Sequence, residues 1–181
     1  MQPLPKYARI ERERRFLLNR FPSNPDVIRI SRISDYYING TTLRLREQRQ
    51  ETGPTVFKLT QKLPAPANGA QQGFITTIYL TEAEFRVFAQ LPANRLCKTR
   101  YSIPPFGIDK FEGALEGLLT AEVEFDSADA ADALALPSWG LKEISTDNRF
   151  TGGILVRASR DDVGVGPWSM ESNSPHSKAA E

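Results

Sequence analysis

The chain has 181 residues, 40% hydrophobic and 25% charged, and its 23 Lys+Arg nearly balance 22 Asp+Glu for a net charge of +1. That is length enough for one cored domain, and the composition excludes wholesale disorder. The total hides an asymmetry: residues 1–62 carry 13 basic and 6 acidic side chains, residues 63–110 carry 5 and 3, and residues 111–181 carry 5 and 13. The segment charges are therefore +7, +2 and −8.

The pattern along the chain is mostly strand-like. Arg9–Leu18 reads as a strand with charges on both faces. Val27–Ile38 and Thr41–Arg49 flank Asn39-Gly40, the signal of a two-residue hairpin. Thr55–Leu63 is a further strand, the segment LPAPANGAQQG at 63–73 a loop, and Phe74–Leu80 a strand rich in β-branched and aromatic residues. Thr81 and Glu84 form a capping box that opens a helix with Phe85, Phe88 and Leu91 on its apolar face, ended by Pro92. Leu96–Ile103 predicts a strand before the Pro104-Pro105 break, and Gly107–Glu112 and Leu118–Phe125 predict two more. Ser127 caps a second helix, expected over Ala128–Leu136, and Ile154–Ala158 fits a short helix or strand. The folded barrel domain is expected over residues 1–158, with a disordered polar tail over 159–181. The fold class predicted is α+β, mainly antiparallel β: a closed barrel of about eight strands with a few short flanking helices.

Residue chemistry narrows the function. Cys97 is the only cysteine, so no internal disulfide or cysteine zinc cluster forms, and the only histidine, His176, lies in the polar tail. Histidine-based catalysis is disfavoured, and any metal must sit on carboxylates, which suit hard cations. No run approaches the ~18 apolar residues of a membrane helix, and MQPLPKYARIERERR lacks the apolar core of a secretory signal. The reading is a cytoplasmic protein without a membrane partner.

Alternation carries the functional signal, because residues i and i+2 of a strand share a face. Glu11, Glu13 and Arg15 share one; so do Arg44 and Arg46, Lys58 and Lys62, Lys98 and Arg100, and Glu122 and Glu124. Ordinary half-buried strands with charges facing water would give the same pattern. Five such strands together suggest instead a charged lumen, with the apolar faces turned outward under helices.

The motifs IERERRFLL, LRLRE, FKLTQK, CKTRYSI, IDKFEG, AEVEF and EISTDNRF, in that order over residues 9 to about 156, resemble the CYTH family, the triphosphate tunnel metalloenzymes. The resemblance implies an eight-stranded antiparallel tunnel, a triphosphate-containing substrate and a divalent cation, Mg2+ or Mn2+. It assigns Glu11, Glu13, Glu122 and Glu124 to metal. It assigns Arg15, Arg44, Arg46, Lys62, Lys98 and Arg100 to phosphate, with Glu13 and Arg15 as the catalytic pair and Lys58, Asp109 and Asp147 as weaker candidates. The chain departs from the pattern in two respects: Arg15 stands where the family has lysine, and Thr76 and Thr77 stand where acidic residues are expected.

The activity expected is hydrolysis of inorganic triphosphate to diphosphate and phosphate. Alternatives are a nucleotide triphosphatase, a class IV adenylyl cyclase, or a non-catalytic module that binds polyphosphate or nucleotide. The partner is a small polyanion. A nucleic acid is disfavoured because no aromatics interleave with the cations, and a homodimer is left open.

Overall fold

In a computed structural model the described residues are 5–64, 72–136, 139 and 141–164. Nine strands follow one another as β1 (Arg9–Leu18), β2 (Arg29–Ile38), β3 (Leu43–Gln50), β4 (Val56–Pro64), β5 (Gln72–Leu80), β6 (Ala93–Ile103), β7 (Phe106–Phe111), β8 (Leu119–Glu124) and β9 (Leu141–Glu143). Their sheet order is β5-β4-β3-β2-β6-β7-β8-β1-β9, and β5 also pairs with β1. Strands β1 to β8 thereby close into an antiparallel barrel. The ladders of β1 to β8 and to β9 overlap at Phe16 and Leu17, so those two strands flank opposite edges of β1. Strand β9 thus extends the edge whose first half, Arg9–Arg12, pairs with β5.

The apolar faces do turn outward. Phe16 and Leu18 of β1 pack with Ile103, Phe106, Ile108, Ala121 and Val123 into a core layer outside the barrel, joined by Phe21, Leu134 and Trp139. Helix α1 (Glu82–Phe88) begins at the expected Thr81–Glu84 capping box. It buries Phe85 against Phe57 and Tyr36, with ring centroids 4.7 and 6.0 Å apart. Removing such faces from water is the main stabilising contribution, about 25 cal/mol per Å² of apolar surface.

Two local expectations need correction. The β2–β3 connection spans residues 39–42 rather than two residues. Thr41 donates its backbone N–H and its hydroxyl to the Ile38 carbonyl and accepts from Leu43 N–H, which lengthens the turn. Helix α2 (Ala128–Asp132) is shorter than expected, although Ser127 caps it as predicted. Arg14 Nη1 donates to the Ala131 carbonyl at 3.0 Å, which satisfies a free end of the last turn, and the chain turns away. Residues 140–150, hard to read from pattern, contribute β9 and a 3-10 turn at Asn148–Phe150, followed by the short α3 (Gly152–Leu155).

A second core cluster sits inside one end of the barrel. Leu96, Phe111 and the partly buried Leu17 and Tyr37 meet Leu115, Leu118, Ile144, Phe150, Leu155 and Val163 there. Val163 is 4% exposed, so packing continues past residue 158; residues 165–181 of the expected tail and 65–71 of the expected loop lie outside the described residues. No helix among the described residues is long and apolar enough to cross a membrane.

Candidate functional site

The charged faces form the lining. Cross-strand register places side chains of the same face opposite one another: Asp35 against Arg46, Arg46 against Lys58, Ile33 against Lys98, Arg100 against Asp109 and Arg15 against Glu122. Arg15, Arg46 and Lys98 are only 7–8% exposed. Charges this deep in a folded chain need partners, and three internal carboxylates supply most of them.

Asp35 accepts from Arg46 Nε and Nη2 at 2.6 and 2.8 Å, and Arg44 Nε lies 3.6 Å from it. Arg44 Nε is buried and finds no hydrogen-bond partner among the described residues. Asp109 accepts from Arg100 at 2.7 Å through both oxygens and also from Lys98. Glu122 takes the third arm, Arg100 Nη1, at 2.6 Å. Lys62 holds Glu11 at 2.8 and 2.9 Å. Burial opposes ionisation of Asp35, but Arg46 and Arg44 outweigh it and hold its carboxyl well below the usual range. Glu122 behaves the same way: burial raises it, and Arg100, Lys98, Lys62 and Arg46 together bring it far down. Burial holds the Lys98 ammonium below the ordinary lysine range, and the neighbouring Arg100 and Arg46 add to that, against the pull of Asp109.

Glu13 is different. Burial, then the like charges of Glu122 and Glu11, push its carboxyl up to about 7 against the pull of Lys62 and Arg15. A divalent cation relieves that kind of repulsion between buried carboxylates. Glu11, Glu13 and Glu122 are the residues that could hold one, with Glu124 exposed at the rim beside Glu13. Among the described residues no three acidic, histidine or cysteine side chains converge into a formed cation site. The donor set fits a hard cation in chemistry and in charge.

The remaining candidates fall at the edges. Lys58 lies near the rim with its ammonium 5.2 Å from the centre of the Tyr79 ring. Thr77 shares the inward face and bonds Thr60 across the strands at 3.0 Å, whereas Thr76 lies on the opposite face. Asp147 stands outside the lining: it caps the Asn148–Phe150 turn and pairs with Arg149 at 2.6 Å. Arg15 is buried, but its guanidinium donates to the carbonyls of Phe150 and Ser145 at 2.7 and 3.1 Å, and Nε is 3.5 Å from Glu13. Asp35 is the residue the motif pattern missed. The β2–β3 hairpin carried the signal, because its register sets an inward Asp35 against the Arg-x-Arg pair.

No family model matches the chain. A curated relative, the inorganic triphosphatase of Nitrosomonas europaea, is 32% identical over 155 residues, which is 81% of this chain and 96% of the relative. The chain belongs to the CYTH family, the triphosphate tunnel metalloenzymes. Two crystal structures of one protein, named in one of them an inorganic triphosphatase, align with this CYTH chain at 28% and 29% identity and a TM-score of 0.53 each. They cover 82% of this chain and 95% and 99% of their own. The barrel described above is thus the family's tunnel, and its inward charges are the tunnel lining.

Proposed function

We propose that this protein hydrolyses inorganic triphosphate to diphosphate and phosphate inside the tunnel. The observation that carries the proposal is a lining in which Arg44, Arg46, Lys62, Lys98 and Arg100 face inward beside the carboxylates Glu11, Glu13 and Glu122. The relative named above as an inorganic triphosphatase supports the choice of substrate. Inward cations also favour a small polyanion over a nucleic acid, whose backbone needs cations on an open surface.

The chemistry follows from exchange of partners. In the protein alone each lumen cation rests against an internal carboxylate. An entering triphosphate takes up the arginine and lysine donors, and forked guanidiniums match its oxygens. A divalent cation, Mg2+ or Mn2+, held by Glu11, Glu13 and Glu122 with Glu124 at the rim, would supply phosphate charge neutralisation and lower the pKa of a bound water. Asp35 and Asp109 stay in place and keep Arg46, Lys98 and Arg100 aimed into the lumen, so little reorganisation accompanies the reaction. We place this activity in the cytoplasm, in keeping with a chain whose one cysteine allows no internal disulfide.

Phosphate release from triphosphate with magnesium or manganese tests the proposal. Glu122→Gln and Glu13→Gln are expected to lower kcat by about 100-fold or more, since even the outer partners of metal sites cost up to that much. Hydrolysis untouched by either change would contradict the assignment of the carboxylates.

A further inference from the structure

One inward cation has no carboxylate to rest on. On the inward faces of β3, β4 and β6, Arg44, Arg46, Lys62, Lys98 and Arg100 each lie no farther than 3.6 Å from Asp35, Glu11 or Asp109. Lys58 shares the face of β4 that carries Lys62, and among the described residues no carboxylate pairs with it. Its ammonium lies instead 5.2 Å from the centre of the Tyr79 ring.

Register makes this placement unfavourable for the protein alone. Lys58 stands directly opposite Arg46 of β3, and like charges opposite one another across a ladder destabilise a sheet. The carboxylate that serves this group is Asp35, which already holds Arg46 by two bonds and Arg44 by charge. Three cations thus share one internal carboxylate. On its other side Lys58 pairs in register with Tyr79 of β5, whose side chain is 72% exposed and marks the rim of the barrel. An aromatic face holds an ammonium in place without neutralising it. The surplus positive charge at this rim is therefore left for a ligand.

Taking the triphosphatase reading as given, we propose that Lys58 and Tyr79 form a rim subsite for one phosphate more than triphosphate carries, so that linear tetraphosphate is a further substrate of the same lumen. The deeper cations hold the phosphates that both chains share. Lys58 receives the additional one through a charge-assisted hydrogen bond. Tyr79 is the positioning residue that keeps the ammonium at the opening. The added phosphate also relieves the repulsion between Lys58 and Arg46, which Asp35 alone does not. The reaction is the same hydrolysis: the oxygen of water bonds to the attacked phosphorus, and one bridging P–O bond breaks with its electron pair going to the departing phosphate. The protons of the water pass to the products or the solvent.

The test compares tri- and tetraphosphate in two ways: kcat and KM for consumption of each chain with magnesium, and affinity by calorimetry without a divalent cation. Wild type is expected to bind tetraphosphate about tenfold more tightly than triphosphate, the scale of one hydrogen bond to a charged group. Lys58→Met keeps the apolar stem, removes the charge and should bring the two chains to parity, whereas Lys58→Arg should keep the preference. Tyr79→Leu frees the ammonium and should narrow the preference through a rise in KM for the longer chain. An equal loss on both chains in Lys58→Met would show that Lys58 serves the shared phosphates, and would overturn the proposal. So would a preference for tetraphosphate that survives the change. Each comparison is a ratio between two chains within one variant, so a loss of folded protein cancels. Wild type that cleaves triphosphate but leaves bound tetraphosphate intact would overturn its standing as a substrate. If neither chain is cleaved, the functional reading fails, while the affinity ratios still decide the subsite.

Discussion

Asp35 shows how a single side chain sets the lining. It is 1% exposed and holds Arg46 by two bonds and Arg44 by charge. Asp35→Asn keeps the shape and removes the charge, leaving a buried guanidinium uncompensated. The expected loss is about 3–5 kcal/mol of unfolding free energy, measured by denaturant titration. The pH dependence has a definite sign. The folded carboxyl titrates below its unfolded value near pH 4, so its contribution is fully present above that pH and is lost as pH falls below it. Wild-type stability should drop more steeply on acidification below about pH 4 than that of Asp35→Asn, as read by melting curves across pH. The Arg44–Arg46 and Lys98–Arg100 pairs were legible because each doubles a charge at spacing two. Asp35 was not, because it is the lone acid on its face of β2, which also carries Arg29, Ser31, Ile33 and Tyr37, and no like charge stands two residues from it.

At the scale of elements, local chemistry was readable where it closes within a few residues. The Thr81–Glu84 box is complete, with Thr81 accepting from Glu84 N–H at 3.3 Å and Glu84 accepting from Thr81 N–H at 2.7 Å. Thr81→Ala should cost about 1 kcal/mol in thermal or denaturant unfolding. The β2–β3 turn was read as two residues and spans four. That moves the register by two, so Asp35 meets Arg46 instead of Arg44, while every inward residue stays inward. The length of α2 was not readable, because the carbonyl of Ala131 in its last turn is satisfied by Arg14, more than 110 residues away in sequence. The second core cluster was hidden for the same reason: its members include residues of β1, β2, β6, β7 and the last described segment. Gly152 is where that packing is tightest. Gly152→Ala forces a Cβ against the Tyr37 hydroxyl, and a loss of about 1–3 kcal/mol is expected from such overpacking.

For the whole molecule, the opposed segment charges of +7 and −8 now have a partial structural cause. The basic first third supplies Arg44, Arg46 and Lys62 to the lining, and the acidic last third supplies Glu122 and Glu124. Other acids of that third, including Asp129 and Asp147, lie on the outside, at a helix start and a turn cap. The tunnel architecture was legible in advance because a barrel needs only strand parity and order, and both survive small errors in turn length. The central claim is hydrolysis of triphosphate by this lining, and the direct measurement is phosphate released from inorganic triphosphate in the presence of magnesium or manganese. The account predicts one phosphate and one diphosphate per triphosphate consumed, at a rate lowered about 100-fold or more in Glu122→Gln. Tight calorimetric binding of triphosphate with no phosphate released under either cation would contradict it.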